Sequence, residues 1–301
     1  MIDPEVNVVC ASDNNYAPML SIVMSSLARN TDAVVRLNIL DCGVTADNRL
    51  RLSEFSEYFH NLNLRWISVD LDGKMSAFPE RFHITRAAYA RLLIPEVLPD
   101  FKRVVYLDTD VMVCGDVKEL FDEDLEEFAI GAVWEDYMEE NGNNAEHLRR
   151  LKMNNGHKYF NSGVLLLDLD KWRRDRVFNK IMDMAPYMIN DLKFMDQDLL
   201  NKYFECNYKL LPEKYNVTAP RARRHYRNGR LCECIVRHFE GGKKPWLVHP
   251  LIPDIKKSNY IGKRMYWDFV RGTPFYRELI ARFPVYKFVD EFCYRNIIKY
   301  P

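Results

Sequence analysis

The chain has 301 residues, enough for one large α/β domain or two smaller ones. Hydrophobic residues make up 48% and aromatics 13%, the composition of a folded globular protein. Lys plus Arg and Asp plus Glu both number 43, so no global field draws the chain to nucleic acid. No uncharged apolar stretch approaches the roughly 20 residues that a spanning helix requires. Asp3 and Glu5 precede the first apolar run, unlike a signal peptide. Seven scattered cysteines read as reduced thiols, which points to a cytoplasmic protein. Cys232 and Cys234 form the one close pair, and C-x-C alone is a poor zinc signature.

In chain order, strand and helix patterns alternate. Val6–Ala11 is a short apolar strand, and from Tyr16 to Arg29 the residues Met19, Leu20, Val23, Met24 and Leu27 recur at helical spacing. Val35–Leu40 and Leu62–Val69 are strands, with an amphipathic helix over Asp47–Phe59 between them. Thr85–Leu93 reads as helical, and Val104–Leu107, Ala129–Val133 and Gly163–Leu167 as strands. Helices are predicted at Arg176–Asn190 and Gln197–Phe204. This alternation predicts an α/β fold with a doubly wound, mostly parallel sheet flanked by helices.

The strand Val104–Leu107 ends in Asp108-Thr109-Asp110. Side chains at i and i+2 of an extended chain share a face, so both carboxylates are expected to converge on one hard cation. The turn Ala11-Ser12-Asp13-Asn14-Asn15-Tyr16 lacks the glycines of a dinucleotide site. It fits either an Asx-turn with a helix cap or recognition of a uracil edge. His238-Phe239-Glu240-Gly241-Gly242-Lys243-Lys244-Pro245-Trp246 combines an imidazole, flexible backbone and a cation, suited to a phosphate-covering loop. Asn161-Ser162-Gly163 precedes an apolar strand and could reach sugar hydroxyls. Asp196-Gln197-Asp198 opens a helix, where acids also serve as ordinary dipole-capping charge.

Taken in order over about residues 5–250, these motifs resemble the family-8 retaining glycosyltransferases, the glycogenins and the bacterial lipopolysaccharide α-galactosyl- and glucosyltransferases. Tyr89-Ala90-Arg91-Leu92 and Tyr106-Leu107-Asp108-Thr109-Asp110 belong to the same set. The resemblance implies a GT-A fold over residues 1–250, a UDP-sugar donor (UDP-galactose or UDP-glucose), and Mn²⁺ or Mg²⁺. It implies Asp108, Asp110 and His238 as metal ligands. Asp13, Asn15 and Tyr16 would hold the uridine with backbone help from Ala11, and Gly241 and Lys244 would hold the diphosphate. Arg91, Asn161, Asp196 and Gln197 would surround the transferred sugar. The acceptor would be a saccharide or glycolipid of lipopolysaccharide or another surface glycan.

Two departures stand out: Asn14 occupies a position that is often acidic, and the segment between Asp196 and His238 is short. It holds the basic run Arg221–Arg227, and this bears on the acceptor. Asp196 and Gln197 are candidates for the β-face of the sugar, and front-face attack with the leaving phosphate as base is the alternative. Two other classes compete. A non-catalytic nucleotide-sugar or glycan-binding protein could lose the metal set, which is intact here. An aspartyl-phosphate phosphohydrolase would carry its D-x-D after the first strand, not a hundred residues in.

Residues 251–301 are expected to form a helical extension. Residues 256–301 carry ten Lys/Arg against four acids, a net +6, interleaved with aromatics. The extension is either a cap packed on the main domain or a peripheral contact with an anionic inner-membrane face.

Overall fold

The computed structural model describes residues 5–71, 73, 86–227, 230–231, 233–251 and 261–283. Among these a seven-stranded sheet forms the centre, in the order β3-β2-β1-β4-β7-β6-β8. Its strands are β1 (Glu5–Ser12), β2 (Val34–Asp41), β3 (Leu62–Ser68), β4 (Arg103–Leu107), β6 (Ile130–Trp134), β7 (Phe160–Asp168) and β8 (Lys209–Leu210). The pairs β3–β2, β2–β1, β1–β4 and β6–β8 are parallel. Only β7 runs against both its neighbours, β4 and β6. The mostly parallel, helix-flanked sheet expected from the alternation is therefore present.

Strands buried on both faces read as nearly continuous apolar runs. In β4, Val105 and Leu107 enter one hydrophobic core while Val104 and Tyr106 enter the other. The first core holds α1 (Ala17–Asn30), whose Met19, Leu20, Val23, Met24 and Leu27 are all buried. It also takes Leu52 and Phe55 from α2 (Ala46–Ser56). The second core holds Leu148 of α3 (Asn144–Arg150), Val177 and Ile181 of α4 (Val177–Met184), and Leu199 and Leu200 of α5 (Met195–Tyr203).

Two expected helices differ in detail. Residues Arg86–Leu93 form a 3₁₀ helix. Pro95 lacks the amide that an α-helix would direct to the carbonyl of Arg91, so the tighter turn prevails. The predicted helix Arg176–Asn190 ends at Met184 and continues as a 3₁₀ turn, Ala185–Tyr187, around Pro186.

A small two-stranded unit pairs β5 (Val111–Val113) with β11 (Val236–His238), antiparallel, with His238 opposite Val111. Between them in the chain lie α6 (Ala219–His225) and the hairpin of β9 (Tyr226–Arg227) and β10 (Arg230–Leu231). The basic run there is not a free cationic patch. Arg221 is fully buried, and Arg223 and Arg224 pair with Glu140 and Asp136.

The described part of the C-terminal extension packs into the first core. It comprises α7 (Lys263–Arg271) and α8 (Tyr276–Ala281), and Tyr266, Trp267, Val270, Phe275, Leu279 and Ile280 are buried. These aromatics do not face outward, so this part of the segment is a packed cap. Residues 284–301, with Lys287, Phe288, Phe292, Tyr294, Arg295 and Lys299, lie outside the described residues, as does Cys232. No described helix is long and apolar enough to cross a membrane. Each large buried side chain deleted costs about 3–5 kcal/mol, against a total stability of about 5–15 kcal/mol. A chain ending at Lys263 is expected to lose cooperative thermal unfolding, measured by calorimetry against the full chain.

Candidate active site

A cavity of about 630 Å³ opens where β4 ends. Every site residue implied by the resemblance lines it except Asn15, which is exposed. Asp108 and Asp110 do not stand on one continuous strand. β4 stops at Leu107, and the two aspartates flank a turn before β5. Their convergence comes from the turn and from the β5–β11 pairing, which brings His238 alongside and lets Phe239 N–H donate to the Asp110 carbonyl at 2.9 Å.

One ligand atom from each of Asp108, Asp110 and His238 lies within 4.8 Å of the others. His238 Nδ1 faces Asn216 Oδ1 at 3.1 Å. The amide oxygen only accepts, so Nδ1 carries a proton and Nε2 points at Asp110 Oδ1 (3.2 Å) and Asp108 Oδ2 (4.0 Å). Asp110 Oδ1 is buried with no aligned donor. A bare imidazole nitrogen facing two carboxylate oxygens is repulsive until a positive charge sits between them. The donor set of two carboxylates and one imidazole fits a divalent cation.

Gly163 makes this approach possible. A Cβ there would stand 2.3 Å from His238 Cε1 and 2.8 Å from Asp108 Oδ2. The Gly163 carbonyl also accepts the Asp108 amide at 2.8 Å, so β7 forms the floor under both ligands.

Charge is balanced from two sides. Arg91 donates to Asp108 Oδ1 (2.9 Å), pairs with Asp196 Oδ2 (2.9 Å), and reaches the Ser162 carbonyl and hydroxyl. It also stacks over the Tyr106 ring at 4.5 Å, and the Tyr106 hydroxyl donates to Asp108 at 2.8 Å. Burial would lower Arg91, but Asp108 and Asp196 hold it above its ordinary value. For Asp196 the balance differs: desolvation pushes it up to about 6, against the pull of Arg91. Burial alone would raise Asp110, yet the Lys244 ammonium holds it well below the carboxylate range. Lys244 contacts Asp110 directly and donates to the Phe239 carbonyl at 2.8 Å.

Asp13 at the end of β1 accepts the amides of Asn15 and Tyr16 through Oδ1, the Asx-turn the sequence allows, and it also borders the cavity. Asn14 turns away and accepts from the Thr45 amide, the Thr45 hydroxyl and Asn48. An uncharged acceptor suffices there. Tyr16 meets Trp246 edge to face, with ring centroids 6.1 Å apart. Gly241, at φ 68°, lets the loop between them turn. Asn161 donates to Glu135 (2.7 Å) and Glu240 (3.2 Å), and Gln197 accepts the Ser162 amide at 2.9 Å.

The model of "Glycosyl transferase family 8" matches residues 7–249 of the chain. The chain belongs to glycosyltransferase family 8. It is 31% identical over 261 residues to General stress protein A of Bacillus subtilis, covering 81% of this chain and 88% of that one. It is 25% identical over 264 residues to a lipopolysaccharide 1,2-glucosyltransferase of Escherichia coli K12, covering 83% and 75%. The structure of galactosyltransferase LgtC, solved with donor and acceptor sugar analogues, superposes with a TM-score of 0.74 at 27% identity. That match covers 89% of this chain and 96% of the other, and it makes the fold GT-A. A family-8 glycosyltransferase takes a nucleotide-sugar donor and a saccharide acceptor, so the readings as a pure binding protein or a phosphohydrolase are set aside.

Glu135, which lines the cavity, and the buried Asn216 behind His238 were not singled out from the sequence, while Tyr106, Ser162 and Glu240 stood in its motifs without a role of their own. Tyr106 carried a signal, since it stands two residues before Asp108 and so shares its face. Glu135 and Asn216 are brought in by long-range packing and carried none.

Two outcomes are expected here. Gly163→Ala should displace the His238 ring and weaken Mn²⁺ binding at least tenfold, read by titration of the metal in the absence of donor. Asp196→Asn should remove the loss of stability that the wild type shows as pH rises from about 4 through 6, over and above any constant change from leaving Arg91 with one carboxylate fewer. The sign follows from a folded pKa above the unfolded one. The native carboxylate is penalised above pH 6, the penalty fades as pH falls through 6, and it is gone below about 4. Denaturant melts of both proteins at pH 7.5 and pH 4 check this.

Proposed function

We propose that this protein transfers galactose or glucose from a UDP-sugar to a saccharide acceptor of lipopolysaccharide or another surface glycan, with retention of configuration. The observation that carries this reading is the carboxylate–imidazole cluster set in the same cavity as Arg91, Asn161, Asp196 and Gln197. The sugar-transfer names of the relatives support the hexose and the acceptor class.

In this reading Asp108, Asp110 and His238 hold Mn²⁺, mixed oxygen and nitrogen ligation suiting it better than Mg²⁺. When bound, the metal supplies Lewis-acid charge to the departing diphosphate. Asp13, Tyr16 and the Ala11 backbone orient the uridine. Lys244 and the Gly241 amide meet the diphosphate, where negative charge grows as the bond from the anomeric carbon breaks. Arg91 holds the Asp108 carboxylate aligned through Oδ1. Asn161 and Gln197 address sugar hydroxyls. Asp196 is committed to Arg91 at 2.9 Å, which weakens it as a nucleophile and favours front-face attack. The proton of the acceptor hydroxyl then passes to the leaving phosphate oxygen.

The test is a donor panel with a mixed saccharide acceptor pool, read as UDP release. UDP-galactose or UDP-glucose should be turned over with Mn²⁺, excess EDTA should abolish turnover, and Asp110→Asn should cost orders of magnitude while remaining folded. Full turnover in EDTA, or preference for a non-uridine donor, overturns the reading.

A further inference from the structure

At Met195 the chain passes through a left-handed conformation, φ 47°, immediately before Asp196 and Gln197. A residue with a Cβ pays about 1–2 kcal/mol there, so the surroundings must hold it. Asp198 provides the hold. Its Oδ2 accepts the amides of Lys193 at 2.6 Å and Phe194 at 2.8 Å, on the near side of the turn. Its Oδ1 accepts the Tyr159 hydroxyl at 2.5 Å and lies 2.7 Å from His147 Nε2.

The direction of the last contact follows from the next one outward. His147 Nδ1 lies 2.5 Å from Arg150 Nη2. A guanidinium only donates, so Nδ1 accepts, and the ring proton sits on Nε2, donating to Asp198. Four donors thus fill the roughly four lone-pair sites of the Asp198 carboxylate, which is fully buried. It has no capacity left for a ligand. The His147 ring also meets Tyr159 and Phe194 edge to face, at 4.9 and 5.2 Å, and Phe194 lines the cavity.

We infer that His147 and Tyr159 are positioning residues that, through Asp198, hold the left-handed turn aiming Asp196 and Gln197 into the cavity. The inference rests on the proposed roles of Asp196 and Gln197 at the transferred sugar. Asp198 belongs to the same acid–amide–acid cluster, but its work is done from inside the protein.

The experiment uses His147→Phe, which keeps the ring contacts and removes the donor, and His147→Gln, which restores an N–H. Tyr159→Phe loses a hydroxyl that also accepts from Gln197 Nε2 at 3.4 Å, so its amide-exchange readout, rather than its kcat, carries the test should His147→Phe fail to fold. In protein free of metal and donor, amide hydrogen exchange at residues 193–194 should rise in both Phe variants and stay near wild type in His147→Gln. With UDP-hexose and Mn²⁺, kcat should fall about ten- to a hundredfold in His147→Phe, the usual scale for outer-shell partners. KM and UDP affinity should stay within twofold, and His147→Gln should recover most of kcat. Unchanged exchange at 193–194 in both Phe variants overturns the inference whatever the donor. So does a fall in kcat matched by an equal loss of UDP-binding stoichiometry, which would mark a general folding role. Failure of the wild type to turn over UDP-hexoses strikes the donor assignment instead, and the exchange measurement still decides this one.

Discussion

The constraint around which the molecule is arranged is the crowding of carboxylates where β4 ends. Asp108, Asp110 and Asp196 share one partly enclosed space, and an isolated buried charge would neutralise itself rather than remain ionised. Two internal cations make the arrangement tenable. Arg91 bridges Asp108 and Asp196, and Lys244 contacts Asp110. Each cation needs its own scaffold. Arg91 is delivered by the 3₁₀ segment before Pro95, and Lys244 by the chain that follows β11. The bidentate geometry of a guanidinium suits the bridge, and a lysine there would serve only one carboxylate at a time. The compensation is incomplete by design. Asp110 Oδ1 and the lone pair of His238 Nε2 remain turned toward each other, which is what makes the cluster a receptor for a cation rather than a closed salt-bridge network.

How far this was legible in the sequence depends on the range of the interaction that builds each part. The strands β1 to β4 and helix α1 read directly, because both cores impose short-range periodicities on them. The D-x-D reads as a pair for the right residues but on an incomplete geometric ground. The two aspartates lie in a turn, and their facing is set by β5 pairing with β11, more than 120 positions away in the chain. Strands of three residues carry too little pattern to be seen locally, so β5 and β11 were invisible. The ordered set of motifs, matched to a family, supplied what periodicity could not. It reached Arg91, which announces no role by its local sequence, and sharpened the roles that local pattern had suggested for Asn161 and His238. Asn15 shows the opposite case. It sits inside a motif, yet its backbone amide is what the fold uses, through Asp13, and its side chain points to solvent.

The C-terminal extension invited a reading from composition alone, and composition misjudges it in the part that is described. Basic and aromatic residues alternate there, but an aromatic beside an arginine is equally at home in a core whose rim is wet. Trp267 Nε1 donates to the carbonyls of Pro245 and Val248, and Tyr266 meets Phe239 edge to face and Trp246 at a tilt. Phe239 directly follows His238, and Trp246 meets Tyr16, which lines the cavity. Helix α7 therefore braces this stretch at Phe239 and again at Pro245–Val248, on either side of the lysine that balances Asp110. Residues that follow this stretch in the chain thus pack behind both of its ends. A segment whose charge suggests an appendage is, in these residues, core packing behind the chain that lines the site.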